Sequence, residues 1–263
     1  VLRERVPGLE AVDWFVIGGS GLGRPLVEQG EHGLGLTIQH TIPLAELGLP
    51  SASVPGHGSA IVIGELAREG GGKPIRVAVQ TGRIHPYEGH TAALVCAPLG
   101  AMLHAGARRV LLTAAVGGVN PSLRVGQIVS LRDQMALFAP TPLRGAAFVD
   151  CSNLYDRGLR ASLSELAGDE GLVEAVYGHA RGPQYESPAE VAALRLLGAD
   201  VVGMSTTYEA VLCAAHRVPC CGLGVVTNAA GSEALSHVEV ERESGKARGR
   251  LATLVRKLVQ VAG

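Results

Sequence analysis

Ten consecutive residues, Gln80-Thr81-Gly82-Arg83-Ile84-His85-Pro86-Tyr87-Glu88-Gly89, gather a fixed cation, an imidazole, a phenol and a carboxylate between glycines. The guanidinium of Arg83 offers a planar fork of donors, and the imidazole of His85 adds one more. That set suits a tetrahedral oxyanion such as phosphate. The apolar run 75–79 before it reads as a buried strand and a helical segment follows it, so the motif occupies a strand-end loop, where binding chemistry concentrates. Taken alone, the stretch also reads as a surface turn with incidental charges. A second candidate is Gly18-Gly19-Ser20-Gly21-Leu22-Gly23, after the apolar run 14–17. Glycines at such a point let backbone N–H groups approach a phosphate. The run is one residue short of the dinucleotide fingerprint and lacks the lysine of a P-loop, and Leu22 stands where a serine-hydrolase elbow needs its last glycine. What remains is a serine hydroxyl held among glycines, a neutral phosphate donor, or else a plain tight turn.

These loops need elements to position them. Short apolar runs at 14–17, 60–63, 75–79, 110–115, 128–131, 200–202 and 220–227 have strand length and are bounded by glycine or polar residues. Helices are predicted between them. The clearest is 188–197: Ser187 caps it, Pro188 takes its first position, Glu190 completes a capping box and Gly198 ends it. A second spans 207–217, with Thr206 and Glu209 spaced as another box. A long helix covers 237–261, weakened by Gly245 and Gly249, and 91–104 reads as helix kinked by Pro98. Residues 137–156, rich in Pro, Gly and Ala, read as an extended excursion. Strands alternating with helices indicate an α/β fold with a parallel or mixed sheet. No repeat or Pro/Ser linker divides the chain, so residues 1–263 are expected to form one domain.

Of the 263 residues 47% are hydrophobic, enough for a large core, and the formal net charge of −1 provides no overall attraction for nucleic acid or an anionic membrane. The cysteines, Cys96, Cys151, Cys213, Cys220 and Cys221, are odd in number and contain no Cys-x-x-Cys pair. This argues against structural zinc and a disulfide framework, and for a reducing compartment. Val1-Leu2-Arg3-Glu4-Arg5 lacks the apolar core of a secretory signal, and the apolar stretch 94–119 is broken by His104, Arg108 and Arg109. A cytoplasmic protein is expected.

Several segments together match one family. GGSGLG (18–23), VPGH (54–57), GRIHPYEG (82–89), TAAVGGVN (113–120), GQIVSLRD (126–133), GPQYESPAE (182–190), GADVVGMST (198–206) and VVTNAAG (225–231) appear in the order found in the trimeric purine nucleoside phosphorylases. No single piece is decisive; eight in register are specific. The chain therefore resembles this branch of the nucleoside phosphorylase superfamily over roughly residues 14–240. The resemblance implies a single α/β domain whose distorted mixed sheet closes partly into a barrel flanked by helices. It further implies a homotrimer that uses inorganic phosphate as co-substrate, with no metal or organic cofactor. The implied reaction converts a purine nucleoside and phosphate to free base and ribose 1-phosphate.

Carried over position by position, the resemblance assigns phosphate binding to Ser20, His57, Arg83, His85, the backbone at Ala115, and Ser205. It assigns base recognition to Glu186 and Asn228 with Tyr185 as an aromatic wall, and sugar contacts to Tyr87, Met204 and His237. Phe148 matches a phenylalanine that reaches over the ribose of a neighbouring subunit. Glu88 is expected to orient His85 or a neighbouring group. Asn228, Glu186 and His85 are the implied catalytic set. A 6-oxopurine shows a donor at N1 and an acceptor at O6, complementary to a carboxylate and an amide. Adenine shows an acceptor at N1, which a carboxylate repels, so inosine and guanosine are the expected substrates. The chain departs from the family at Ala114, where an asparagine is usual, and at Tyr208, which replaces a frequent proline or histidine. Two other readings stand beside this one. A methylthioadenosine or methylthioinosine phosphorylase shares the fold, but His237 suits a 5′-hydroxyl better than a thioether. A nucleoside-binding protein without turnover would keep the pocket, but Arg83, His85, Glu186 and Asn228 are all intact. An NAD-dependent oxidoreductase is disfavoured by the failed fingerprint.

Overall fold

A computed structural model describes residues 11–30, 32–51, 58–168, 171–232 and 236–262. The described residues contain nine strands: β1 (Trp14–Ile17), β2 (Thr37–Pro43), β3 (Ala60–Leu66), β4 (Ile75–Gln80), β5 (Val110–Gly118), β6 (Ile128–Met135), β7 (Val173–His179), β8 (Val201–Gly203) and β9 (Cys220–Ala229). The helices are α1 (Gly23–Val27), α2 (Ala92–Val95), α3 (Ala97–His104), α4 (Arg157–Ala167), α5 (Pro188–Leu197), α6 (Thr207–Ala215) and α7 (His237–Val261). Single 3₁₀ turns lie at Leu44–Leu47 and Pro86–Glu88.

The strands form one mixed sheet in the order β2-β3-β4-β1-β5-β8-β7-β6-β9, and β9 also pairs with β5. Five strands, β5, β8, β7, β6 and β9, therefore close on themselves, while β1, β4, β3 and β2 extend from β5 as an open wing. The run β4-β1-β5-β9 is parallel. Its strands are almost continuously apolar, as strands covered on both faces must be. Alternate residues feed two cores. Phe15, Ile17, Ala78 and Leu112 pack with Val95, Leu99, Met102, Ala210 and Cys213 of α2, α3 and α6. Trp14, Val16, Val77, Val79 and Leu111 pack with Leu159, Leu163, Leu251, Val255 and Leu258 of α4 and α7. All five cysteines are unpaired, and only Cys151 is exposed. Among the described residues no helix is long and apolar enough to cross a membrane.

Helix α5 has the predicted bounds and capping box, with Gly198 left-handed at φ 98°, and α7 also has its predicted bounds. The segment 91–104 is two helices, because Pro98 sits in the first turn of α3 and Cys96 serves as the boundary of both. Residues 137–156 contain no helix or strand. Two expectations are corrected, and two strands were not foreseen. Helix α6 ends at Ala215 rather than Arg217, whose φ of 56° has left the helical region. Its N-cap Thr206 makes no side-chain capping bond, because its own backbone is already helical at φ −35° and ψ −23°, and Glu209 turns inward to Arg83 rather than back to the cap. Strands β2 and β7 lacked an apolar run to announce them: β2 is almost wholly exposed, and β7 begins Val-Glu and ends Gly-His.

Candidate active site

Strand β5 is shared by two neighbours along one edge. Val110–Leu112 pair with β1, while Gly117 and Gly118 pair with β8. Between these pairings the two neighbours part at residues 113–116, and Ala114, Ala115, Val116 and Gly117 line an open cleft. At the far side β5 pairs with β9, with a bulge between Val116/Val226 and Gly117/Asn228. Bulges re-aim side chains beside binding sites, and this one adds Thr227 ahead of Asn228. Every sequence-predicted site residue within the described chain lines the cleft except Phe148: Ser20, Arg83, His85, Tyr87, Ala115, Tyr185, Glu186, Met204, Ser205, Asn228 and His237. Phe148 is 96% exposed in the stretch 137–156. His57, with the VPGH motif, lies outside the described residues.

The glycine loop leaves β1 and turns over the cleft. A side chain at Gly19 would meet the Thr113 carbonyl oxygen at 2.7 Å, so only glycine permits this approach. Its N–H donates to Thr113 Oγ1 at 3.0 Å, and Arg248 Nε of α7 donates to the Gly21 carbonyl at 2.9 Å. Opposite it, Arg83 is 1% exposed. Its Nε donates to both oxygens of Glu209 at 2.8 and 3.1 Å, and Nη1 donates to the Thr113 carbonyl at 2.6 Å. The expected fixed cation is thus half of a buried ion pair, which orients the fork and tempers its charge. Ser205 is held by its own N–H, which donates to the Tyr177 hydroxyl at 3.0 Å.

His85 caps the 3₁₀ turn Pro86–Glu88. Glu88 Oε1 accepts from the His85 backbone N–H at 2.7 Å and lies 3.4 Å from Nδ1. Burial lowers the imidazole's pKa, opposed by its bond to Glu88 and reinforced by Arg83. A neutral ring with its proton on Nδ1 presents a lone pair at Nε2. In that form Nε2 can only accept, whereas a protonated ring donates from both nitrogens. Tyr87 stacks on it, with ring centres 4.6 Å apart and 13° between planes.

On the side expected to read the base, Thr227 Oγ1 lies 3.0 Å from Asn228 Oδ1 and 3.3 Å from the Val116 carbonyl. The amide nitrogen of Asn228 donates to the Ala229 carbonyl at 3.2 Å. The hydroxyl at the amide oxygen fixes which end of the amide is the NH₂ group, which has a second hydrogen to give. Burial raises the Glu186 carboxyl above its ordinary pKa, opposed by its own backbone N–H and supported by Glu190. His237, the expected sugar contact, has Nε2 3.5 Å from Glu241 Oε1, one turn along α7.

Glu209, Thr113, Tyr177 and Thr227 hold these groups in place, and sequence reasoning assigned none of them to the site. Thr113 and Thr227 stand inside matched motifs, close to Ala115 and Asn228; Glu209 and Tyr177 act across long stretches of sequence.

The phosphorylase superfamily profile matches residues 16–260. A purine nucleoside phosphorylase of Mycobacterium leprae (strain TN) is 37% identical over 263 residues, spanning 98% of this chain and 92% of that protein. The purine nucleoside phosphorylase of Mycobacterium tuberculosis (strain ATCC 25618 / H37Rv) is 41% identical over 219 residues, 80% of each chain. The crystal structure of the Schistosoma mansoni purine nucleoside phosphorylase in complex with inosine superposes with a TM-score of 0.84 at 28% identity, covering 99% of this chain and 93% of that one. With the pocket, the sheet and the sequence in agreement, the chain belongs to the phosphorylase superfamily, within its purine nucleoside phosphorylases.

Proposed function

We propose that this protein cleaves purine nucleosides by phosphorolysis, with 6-oxopurine nucleosides such as inosine and guanosine preferred. The observation that carries the reading is a single cleft onto which an anion cradle (Ser20, Arg83, His85, Ser205 and the Ala115 backbone) and an acid–amide couple (Glu186 and Asn228) both open. Phosphate bound in the cradle attacks the anomeric carbon as the glycosidic bond breaks, and its negative charge stabilises the oxocarbenium-like sugar. As electron density moves into the purine, the Asn228 amide donates to N7 or O6 and Glu186 accepts from N1–H. These contacts strengthen as charge develops, and a desolvated cleft magnifies them. The ribose rests against Tyr87 and Met204, and His237 takes the 5′-hydroxyl. Phosphate is the co-substrate and no cofactor is required, so activity should survive chelators. The working form is a homotrimer in which Phe148 covers a neighbour's ribose; its exposure, beside Phe138 and Leu137, suits that role. Four buried thiols suit a reducing, cytoplasmic setting.

An absorbance assay with inosine and guanosine, with and without phosphate, tests this. Base release that depends on phosphate is expected. Equal release without phosphate would indicate a nucleosidase and overturn the proposal.

A further inference from the structure

The phosphate and base sides of the cleft belong to different elements, yet both are held by three consecutive residues in the first turn of α6. None of the three, Thr207, Tyr208 and Glu209, lines the cleft itself, and all are at most 2% exposed. Glu209 grips the Nε edge of Arg83 with both oxygens. Together with the Thr113 carbonyl on Nη1, this fixes the plane in which the guanidinium meets an anion. Its two neighbours face a different target, His179, the last residue of β7. Thr207 Oγ1 lies 3.1 Å from His179 Nδ1, and the Tyr208 hydroxyl lies 3.1 Å from Nε2. The Tyr208 and His179 rings meet edge to face, 5.1 Å apart at 83°. Burial pulls the His179 pKa down to about 4. The ring is therefore neutral at pH 7, and one hydroxyl accepts from its N–H while the other donates to its bare nitrogen.

His179 is the root of the loop 180–187, which carries Tyr185 and Glu186 to the start of α5. Ala180 N–H donates to the Gly203 carbonyl at 2.8 Å. Gly182 then packs so closely on Met204 and Tyr87 that a side chain there would collide with Met204 Sδ. A shift of His179 thus reaches Gly182, three residues on, where there is little room to absorb it before Tyr185 and Glu186.

We propose that the first turn of α6 is a positioning element common to both halves of the site: Glu209 sets Arg83 for the anion, and Tyr208, acting through His179, sets the loop that presents Tyr185 and Glu186 to the base. This rests on the phosphorolysis reading and adds two positioning residues to it. Adjacent side chains serve opposite ends of the substrate pair, so their loss should separate kinetically.

The experiment measures KM for inosine at saturating phosphate and KM for phosphate at saturating inosine, in wild type, Tyr208→Phe and Glu209→Gln, with Tm recorded for each. Tyr208→Phe removes one hydroxyl from an otherwise retained ring. It should raise the inosine KM about five-fold, the equivalent of one hydrogen bond, with the phosphate KM within about two-fold. Glu209→Gln replaces one accepting oxygen by a donor facing the guanidinium. It should raise the phosphate KM at least about ten-fold, as expected for a charge-assisted contact, with the inosine KM within about two-fold. Parallel rises in both constants, or no change in either variant, would overturn the inference, because a merely structural role moves Tm and active fraction without splitting the constants. A lower phosphate KM in Glu209→Gln would overturn it too, since Glu209 would then only oppose the anion. If Glu209→Gln does not fold, Tyr208→Phe decides alone. A wild type inactive on inosine with phosphate removes the functional reading and this inference with it; an active wild type with the wrong pattern removes the inference alone.

Discussion

Glu186 and Asn228, the proposed base-reading pair, line one cleft but answer to different physics. Glu186 must be ionised to accept from N1–H, and burial raises its pKa. The carboxylate is therefore lost as pH falls through a value above the ordinary 4.5. We expect kcat/KM for inosine at saturating phosphate to show an acid limb above that value, and Glu186→Gln to abolish the limb. A limb unchanged in the variant would assign it to another group. In the proposed reaction Asn228 acts chiefly as charge moves into the purine, so its contribution is expected in the transition state. Asn228→Ala should lower kcat roughly 100-fold with a smaller change in the inosine KM, the signature of a lost transition-state contact. A variant altered only in KM would show uniform binding instead.

At the scale of elements, the end of β7 bears on stability as well as on the loop that follows it. His179 titrates near its ordinary value in the unfolded chain and at about 4 when folded. Between those values the unfolded state binds more protons, so this histidine's contribution is full above pH 6.5 and is lost as pH falls toward 4. The Tm should decline over that window, and His179→Gln should decline less steeply than wild type. Identical slopes by calorimetry would show that the folded ring titrates normally. The buried Arg83–Glu209 pair behaves differently: breaking such a pair strands a charge, whereas the intact pair adds little net stability. Its value lies in the direction it imposes on the guanidinium.

At the scale of the whole molecule, Phe148 and Phe138 are 96% and 98% exposed, a costly placement unless another surface covers them. Sedimentation should give three times the 27.1 kDa chain mass, and Phe148→Ala should raise the inosine KM while leaving the phosphate KM unmoved. A monomer with full activity would refute the shared site. Much of this molecule could be read from local order. Apolar runs specify β1, β4, β5 and β9, a capping box and a glycine delimit α5, and the motifs GRIHPYEG and GPQYESPAE mark the cleft, because each signal is written in neighbouring residues. The edge strand β2 and the mixed strand β7 were not legible, since their pairing comes from partners rather than from their own apolarity. The spacing of Thr206 and Glu209 suggested a cap, and folding overrode it by bringing Arg83 126 positions away in sequence to the carboxylate. So the chain's order of residue types determined which groups exist to bind an anion and a purine. Only the parting of β5's neighbours at 113–116, and the turn of α6 packed behind it, decided which way those groups point, because direction is set by contacts between segments that no local pattern records.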